Sequence, residues 1–422
     1  MDKQLQAAVD YARDSLGLHD HQLKRYQFFR DKNHFNETNF ILNMEWHPIG
    51  NADDALNPAG TAVVDINFYT KAVRLVEFIG GVNNADSSLY PSSTAKEDVI
   101  EWIEEMTGLT FGRQFLIAHE KEQVLKFAAA VDNIPVSPSG MIRVEFNKDG
   151  LLTVFSIDGE FPDEAQIEWE PFALTPDKYE PFAKIQCQLW RLPDQEQEKW
   201  LSVYGIEEVF LTNDAARTIP FMFGANRSSF IAMDKLLQWE EPLDSFFEQK
   251  DIDLSPEVEL ETVLANKPHP DTIPLLESET TAAVQEVLRF MRQVYPDENG
   301  TCELTGVYLK DGYIVAEIQP VQDASKNAPY MKVKLLIDRD TLTAVNYIDQ
   351  NVLFKAYSHF TIADDAVVSL DKAFESLREH MEVEPVYVYD SGRSSYIMCG
   401  KLDCAYGINA VTGKVVALNE IV

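Results

Sequence analysis

The feature that most constrains this chain is an internal repeat, in which an amphipathic helix is followed by strands that contain a polar turn. The first helix is predicted at residues 4–16, where apolar residues recur at helical spacing and Gly17 follows. A second, at residues 94–108, opens with the capping-box sequence Thr-Ala-Lys-Glu. Two further amphipathic helices begin near Ser278 and Ser369, each with serine in the cap position.

Runs rich in Val, Ile, Phe and Tyr follow the helices, break at a short polar turn and then resume, which is the pattern of a β-hairpin. An Asn or Asp side chain can accept hydrogen bonds from backbone ahead of it, and glycine tolerates the positive φ that closes such a turn. The segments with this form are 64–73, 144–152, 335–345 and 406–416, with a fifth at 209–219. Each alone could be an ordinary hairpin, but their recurrence predicts a tandem repeat.

Other segments fit the same scheme. Asp311-Gly312 between β-rich arms predicts a tight hairpin at residues 307–315. Residues 163–196 are ambiguous, and a helix followed by a hairpin is one interpretation. Residues 249–279 have the composition of a linker, because they combine four prolines with many acidic residues and little periodicity.

These patterns predict an α+β protein built from tandem small units, each a helix packed on an antiparallel β-sheet, in two larger domains. The N-terminal domain is predicted at residues 1–248 with about three helix-plus-hairpin units. A Pro- and acid-rich linker follows at 249–279, and the C-terminal domain at 280–422 has two units. Deleting the linker is expected to separate two independently folding halves.

Charge and composition exclude several classes of partner. The chain has 422 residues, of which 36 are basic and 69 acidic, and its net charge of −33 repels nucleic acid and anionic membrane surfaces. No stretch approaches ~18 uninterrupted apolar residues, so no membrane insertion is expected. No signal peptide is visible and four cysteines are too few for a disulfide framework, which favours a cytoplasmic location. An exported protein that has lost its signal is the alternative.

Histidine motifs for metal chemistry are incomplete. His19 and His21 could present two imidazoles, but further ligands are missing nearby, and a solvated turn is favoured. His119-Glu120 lacks the second histidine that a zinc peptidase requires and reads as a strand end.

Cysteine, acidic and aromatic candidates are explained by structural roles. Cys399 and Cys404, with Cys302 as a third thiol, are predicted to be buried and apolar. Asp390-Ser391-Gly392 resembles an aspartic-protease triplet but has no second copy, so a hairpin turn is favoured. The acidic clusters at 240–241 and 257–261 are predicted to be solvated surface, and the six tryptophans to pack in the core. No catalytic, cofactor-binding or metal-binding residue is therefore predicted.

Capped helix, hairpin and a turn of the form Asp/Asn-x-x-Thr-Gly together resemble the PepSY repeat, most clearly at Ile408-Asn409-Ala410-Val411-Thr412-Gly413-Lys414-Val415-Val416. The tandem arrangement is similar to the bacterial YcdB/YcdC repeated-domain proteins. Lys71 and Leu342 stand where the repeat has glycine, and the turn at Asn147 is one residue shorter. The resemblance implies α+β units without known catalytic residues, which act as binding or inhibitory partners of peptidases and envelope enzymes. Many relatives are exported.

The function predicted from the sequence is that of a non-catalytic binding or regulatory protein. Such a protein would engage a protein or peptide partner through its strand edges or a groove between domains, with modulation of a peptidase as one form of this role. The alternatives are an enzyme whose dispersed acidic and histidine residues converge only in the fold, and a structural role in an assembly. The oligomeric state is left open.

Overall fold

The computed structural model describes residues 2–50, 57–91, 94–220, 230–321, 333–350, 357, 359–361 and 363–421. It has the α+β fold that the sequence predicts, with few helices and several mainly antiparallel sheets. Among the described residues, a helix followed by a set of strands occurs five times. The order of elements thus reproduces the internal repeat.

The helices and strands have the following bounds. The helices are α1 (Lys3–Ser15), α2 (Lys96–Thr107), α3 (Pro176–Gln186), α4 (Leu260–Leu264), α5 (Glu277–Val294) and α6 (Leu370–Leu377). The strands of the first two repeats are β1 (His21–Lys32), β2 (Thr38–Pro48), β3 (Ala62–Asn67), β4 (Val73–Phe78), β5 (Phe115–Lys121), β6 (Val124–Val131), β7 (Ile134–Ser137), β8 (Met141–Phe146) and β9 (Leu152–Asp158). The remaining strands are β10 (Cys187–Asp194), β11 (Lys199–Ile206), β12 (Val209–Thr212), β13 (Thr218–Pro220), β14 (Ile231–Leu236), β15 (Cys302–Lys310), β16 (Tyr313–Pro320), β17 (Val333–Asp338), β18 (Thr343–Asp349), β19 (Glu382–Asp390), β20 (Ser395–Asp403), β21 (Tyr406–Asn409) and β22 (Val415–Ala417).

The four predicted amphipathic helices correspond to α1, α2, α5 and α6, but two of the predicted caps are wrong. Ser369 caps α6 through its side chain, as expected. By contrast, α2 begins after Ala95, and its N-cap has no side-chain hydrogen bond. α5 begins after Leu276, so Ser278 already lies inside its first turn. Within the described ranges, no helix combines the length and apolar character needed to cross a membrane.

Three of the predicted turns share one backbone geometry. The Oδ1 atoms of Asn67, Asp338 and Asn409 accept hydrogen bonds from backbone N–H groups two or three residues ahead. The residue four positions on then has a left-handed conformation. These residues are Lys71 (φ 65°), Leu342 (φ 53°) and Gly413 (φ 73°). Lys71 and Leu342 therefore adopt the conformation that glycine usually supplies at this position.

The fifth predicted turn is held differently. Asp214, not Asn213, accepts a backbone hydrogen bond within the turn, from Ala216 N–H at 3.0 Å. The side chain of Asn213 instead donates to a carboxylate oxygen of Glu170 at 3.0 Å and accepts from Ala173 N–H at 2.7 Å. The 209–219 segment is thus a hairpin, but the side chain of Asn213 binds residues 170–173, which precede α3, and does not close the turn.

The shared turn geometry generates a testable difference between glycines. Gly413→Ala should lower the free energy of unfolding by about 1 kcal/mol, because alanine resists the left-handed conformation that Gly413 adopts. Gly392 lies in another hairpin turn without a positive φ, so Gly392→Ala serves as the matched control. Chemical denaturation followed by circular dichroism measures both. Equal effects of the two substitutions would show that the turn geometry is not as described.

Contacts divide the chain into two compact units. The first unit comprises residues 1–169, 255–272 and 386–397, and the second comprises 170–254, 273–385 and 398–422. In the first unit, the strands of the first two repeats are antiparallel neighbours in the order β1-β2-β3-β4-β9-β8-β6. The register between β4 and β9 joins the two repeats, with Val76 opposite Phe155. The buried faces of α1 and α2 share one apolar cluster with these strands.

The second unit contains the third and fourth repeats and the part of the fifth that lies outside residues 386–397. The fourth repeat is an antiparallel sheet in the order β14-β15-β16-β17-β18. The inner face of α5 lies in its apolar cluster, where Phe290 and Met291 are buried. β15 and β16 meet at Asp311 and Gly312, which both have positive φ, as the predicted tight hairpin requires. α3 followed by the β10–β11 hairpin confirms the helix-then-hairpin interpretation of residues 163–196.

The third and fifth repeats exchange strands. β11 does not pair with β12, which follows it in the chain, but with β21, where Tyr204 lies opposite Ile408. β12 pairs instead with β20, where Leu211 lies opposite Gly400. α3 and α6 contribute to a common apolar cluster, which contains Ala183 and Phe374. Each of these two repeats therefore supplies strand partners to the sheet of the other.

The units defined by contacts differ from the domains predicted at 1–248 and 280–422. The difference arises because strands from both sides of residues 249–279 pair within the second unit. In addition, residues 255–272 belong to the first unit, and Val263 among them is fully buried. Independent folding of the two halves stays a prediction that fragments can test.

Strand exchange leads us to expect that the halves fold only together. A fragment of residues 1–248 lacks the partners of β11 and β12, so it should expose unpaired strand edges and aggregate. Expressing it together with residues 249–422 should restore a soluble complex of both fragments. Size-exclusion chromatography of each fragment alone and of both together measures this. A soluble, monomeric 1–248 fragment with cooperative unfolding would instead support the predicted domain boundary.

Candidate functional site

A segment of the first unit lies along the outer edge strand of its sheet. We call residues 255–272 the strap. Val258 donates its backbone N–H to the carbonyl of Phe28 on β1 at 2.8 Å, and Phe29 forms an antiparallel bridge with Glu257. The side-chain amide of Gln27 donates to the carboxylate of Glu257 at 3.2 Å. The strap is therefore added to the edge of β1 as a short extra strand.

Apolar side chains anchor the strap behind this pairing. α4 follows the paired residues directly, and Val263 on α4 is fully buried in the same apolar cluster as Phe28. Val258 and Leu260 pack against that cluster from partly buried positions. Full burial of a side chain of this size is worth about 1.5–3 kcal/mol. One deep anchor and two shallow ones thus hold the strap.

Polar groups of the first repeat bind the main chain of the strap. The hydroxyl of Tyr69 donates to the carbonyl of Val263. Arg30 Nη1 donates to the carbonyl of Pro268 at 2.9 Å, and the hydroxyl of Thr38 accepts from the N–H of His269 at 2.7 Å. Because these contacts are to backbone groups, they hold the segment in position but do not select its side chains.

The charge of β1 is opposite to that of the chain as a whole. β1 carries four basic residues and one acidic residue, Lys24, Arg25, Arg30, Lys32 and Asp31, while the net charge of the chain is −33. The part of the strap that reaches β1 contains Glu257, Glu259 and Glu261. Burial lowers the pKa of Arg30 and the nearby Asp271 raises it. Edge strand and strap are thus complementary in charge.

A second feature of the first unit is a cavity of about 290 Å³ that contains a carboxyl group of unusual acidity. Its lining includes Glu160, Arg74, Phe161 and Leu109. Burial raises the pKa of Glu160 from 4.5 to about 7, and Arg74 opposes the shift only in part. Arg74 is itself engaged, since it donates to Asp158 at 3.0 Å.

Neighbours of Glu160 on the β1–β2 turn add to this environment. The negative charges of Glu37 and Asp31 raise the pKa of Glu160 further, while a hydrogen bond from the Asn33 side chain lowers it. Asn33 also holds the turn, because its side-chain oxygen accepts from the N–H of Glu37 at 2.8 Å. Burial and these neighbours keep the pKa of Glu160 well above its usual value, so its carboxyl group retains its proton to a higher pH than an exposed glutamate does.

A half-buried histidine and a buried tyrosine lie beside this turn. Nε2 of His34 is 2.7 Å from the hydroxyl of Tyr396, and the ring of Tyr389 packs edge-on against His34. Burial lowers the pKa of His34 to about 4, so its imidazole is neutral at pH 7. Burial, and next the charge of Glu160, raise the pKa of Tyr396. The pair can share a hydrogen bond but does not ionise near neutral pH.

This cluster offers one group that exchanges a proton near pH 7. Glu160 could act as a general acid or base in the cavity. Proton transfer is the chemistry that this carboxyl group supports.

The structure separates the sequence candidates for metal chemistry. His19 is exposed, as a solvated turn predicts, but His21 is buried with Nε2 3.1 Å from the carbonyl of Gly60, so the prediction is wrong for His21. His119 and Glu120 are exposed near the end of β5, as expected.

The cysteine and turn predictions agree with the structure. Cys302, Cys399 and Cys404 are buried, as expected for apolar cysteines, and Cys302 and Cys404 lie in different apolar clusters. Asp390 closes the β19–β20 hairpin, because its carboxylate accepts from the N–H of Gly392 at 3.0 Å. A structural role thus accounts for this triplet.

The prediction for the tryptophans holds only in part, whereas the prediction for the acidic clusters is confirmed. Trp46 and Trp102 are buried, but Trp169 is 51% exposed, so the expectation of core packing is wrong there. The acidic residues at 240–241 and at 257, 259 and 261 are exposed, as expected for solvated surface, and Glu257 also accepts a hydrogen bond from Gln27 on β1.

Sequence reasoning missed both Glu160 and the strap. Glu160 carries no motif, and its acidity depends on burial and on the β1–β2 turn more than a hundred residues away in sequence. The strap has a signal in the sequence, because Val258, Leu260 and Val263 place apolar residues within a segment otherwise rich in acids and prolines. That signal could have indicated an anchored segment in place of a linker.

The chain was compared with family models, curated proteins and solved structures. No family model matches the chain, and no curated protein matches it by sequence. Among solved structures, the Bacillus megaterium YpeB C-terminal domain aligns with 83% of this chain and 97% of that chain, at 10% sequence identity and a TM-score of 0.26.

The acidity of Glu160 predicts a specific pH dependence of stability. The folded state retains the Glu160 proton up to about pH 7, so the free energy of unfolding should fall as the pH rises from 4.5 towards 7. The full shift would be worth about 3 kcal/mol, and solvent screening reduces the expected effect to about 1 kcal/mol.

Glu160→Gln should remove this dependence and stabilise the protein at pH 8. Denaturant titrations from pH 5 to pH 8 compare it with wild type and with Glu120→Gln, which changes an exposed residue. Parallel pH profiles for wild type and Glu160→Gln would contradict the assigned acidity.

Proposed function

We propose that this chain is a non-catalytic binding protein that engages an extended segment of a partner protein or peptide by strand addition at β1. The observation that supports the proposal is the strap, in which the same edge accepts an extended segment through backbone pairing, a buried anchor and main-chain contacts. Strand addition takes its affinity from main-chain hydrogen bonds and its selectivity from side-chain pockets.

The exposed part of β1 suggests where a partner first makes contact. The strap pairs with Phe28 and Phe29, while Lys24 and Arg25, nearer the start of the strand, are exposed. In a chain of charge −33, this basic edge would attract an acidic segment. The resemblance to PepSY repeats implies a partner among peptidases and envelope enzymes, and the proposed function includes regulation of a peptidase as one form of this role.

The proposal predicts a charge-dependent loss of binding. A chain with Lys24→Glu and Arg25→Glu should fail to retain the partner that the wild-type chain captures from lysate of its source cells, because the basic edge is reversed. The matched control is Lys3→Glu with Lys96→Glu, which reverses two exposed charges on α1 and α2. Quantitative mass spectrometry of proteins retained at moderate salt compares the three chains. A partner retained equally by all three would contradict binding at β1.

Glu160 favours a second candidate, an enzyme that uses it for proton transfer. The supporting observation is a carboxyl group with a pKa of about 7 in a cavity. Under this proposal, Glu160→Gln should abolish any hydrolytic activity found in a substrate screen at pH 6–8 while leaving partner capture intact. Activity that survives the substitution would exclude Glu160 as the acting group.

A further inference from the structure

We infer that the β1 edge is a recognition site for an extended acidic and apolar segment of a partner, and that the strap occupies this site in cis and competes with the partner. This inference rests on the proposed function and adds the chemistry and the regulation of its site. The partner segment is defined by the strap, with acidic residues that alternate with apolar ones around the positions of Val258 and Leu260, followed by an apolar residue in the place of Val263.

Charge complementarity argues for an acidic occupant. Glu257 of the strap accepts a hydrogen bond from Gln27 on β1, and the charge of Asp271 acts on Arg30 of the same strand. Glu259 and Glu261 add to the negative charge of the strap, while β1 carries four basic residues. A basic segment would face repulsion from the same strand. The charge of β1 thus favours an acidic occupant, although the chain as a whole would attract basic molecules.

The contacts of the strap are few enough for competition. Its pairing with β1 is confined to the bridge at Phe29 and the hydrogen bond to Phe28. α4 is only five residues long, and Val263 is its one buried side chain. Most of the remaining contacts are hydrogen bonds between partly exposed groups, which contribute about 0.5–1.5 kcal/mol each. A segment that pairs with more of β1 could therefore replace the strap.

The strap also shows which contacts a partner would reuse. Arg30, Tyr69 and Thr38 bind main-chain groups of the strap, so any extended segment on the same path can satisfy them. The burial of Val263 supplies the deepest apolar contact of the strap, and His269 and Asp271 are also buried. Selectivity should then reside in the anchor and in the acidic residues.

The test uses the full chain and a synthetic peptide of residues 252–275 that carries a fluorophore. Val263→Asp should release the strap from β1, because a buried carboxylate without a partner is strongly disfavoured. The substitution changes no residue of β1, so the binding edge itself stays intact. The matched control is Leu264→Asp, which changes the neighbouring residue of α4, 41% exposed. Fluorescence anisotropy should show the peptide binding to Val263→Asp at least about tenfold tighter than to wild type or Leu264→Asp, in which the strap fills the site.

Two further peptides test the class of ligand. A peptide with Glu257→Lys, Glu259→Lys and Glu261→Lys should bind at least about tenfold more weakly, and salt should reduce the difference. A peptide in which Asp replaces each Glu and Ile replaces Val258 and Val263 keeps the pattern and should retain binding. Tight binding of the lysine peptide would overturn the assignment of an acidic partner.

Every outcome bears on the inference. Failure of the strap peptide to bind a Val263→Asp chain with native far-UV circular dichroism would overturn it. If that variant does not fold, Val263→Ala takes its place, because it weakens the anchor without burying a charge. A variant that dimerises in light scattering and excludes the peptide would assign the site to the strap of a second copy and overturn a partner as occupant. Peptide binding without any captured partner would refute the proposed function alone.

Discussion

The fold depends on how its repeats satisfy the edges of their small sheets. A strand at an edge presents unpaired N–H and C=O groups, which must find water or another strand. The first and second repeats solve this by pairing β4 with β9. The third and fifth exchange strands, so that β11 pairs with β21 and β12 with β20. The outer edge of β1 pairs with the strap, which is a short segment and not a strand of another repeat.

This account connects the architecture to the proposed function. A fold that completes itself by strand addition already contains the interaction with which it would bind a partner. β1 differs from the other paired edges because the strap covers only part of it and because its charge opposes that of the chain. These two properties make it the edge at which an outside segment can compete.

Local features of the fold could be predicted from the sequence, because each depends on a short stretch of chain. The helical stripes gave α1, α2, α5 and α6, and the Asx turns gave the hairpins at Asn67, Asp338 and Asn409. The strand exchange could not be predicted, since β11 and β12 have local hairpin patterns and their actual partners lie about 200 residues away. Glu160 was missed for the same reason, because its acidity is created by burial and by the distant β1–β2 turn.

The most direct test of the central claim is amide hydrogen exchange, measured by mass spectrometry on the wild-type chain. If the strap is an added strand, peptides covering residues 257–264 should be protected to a degree comparable with the neighbouring part of β1. Adding an excess of the strap peptide should raise the exchange of the chain's own strap while β1 stays protected. Strap amides that exchange as fast as those of an unstructured peptide would contradict the account.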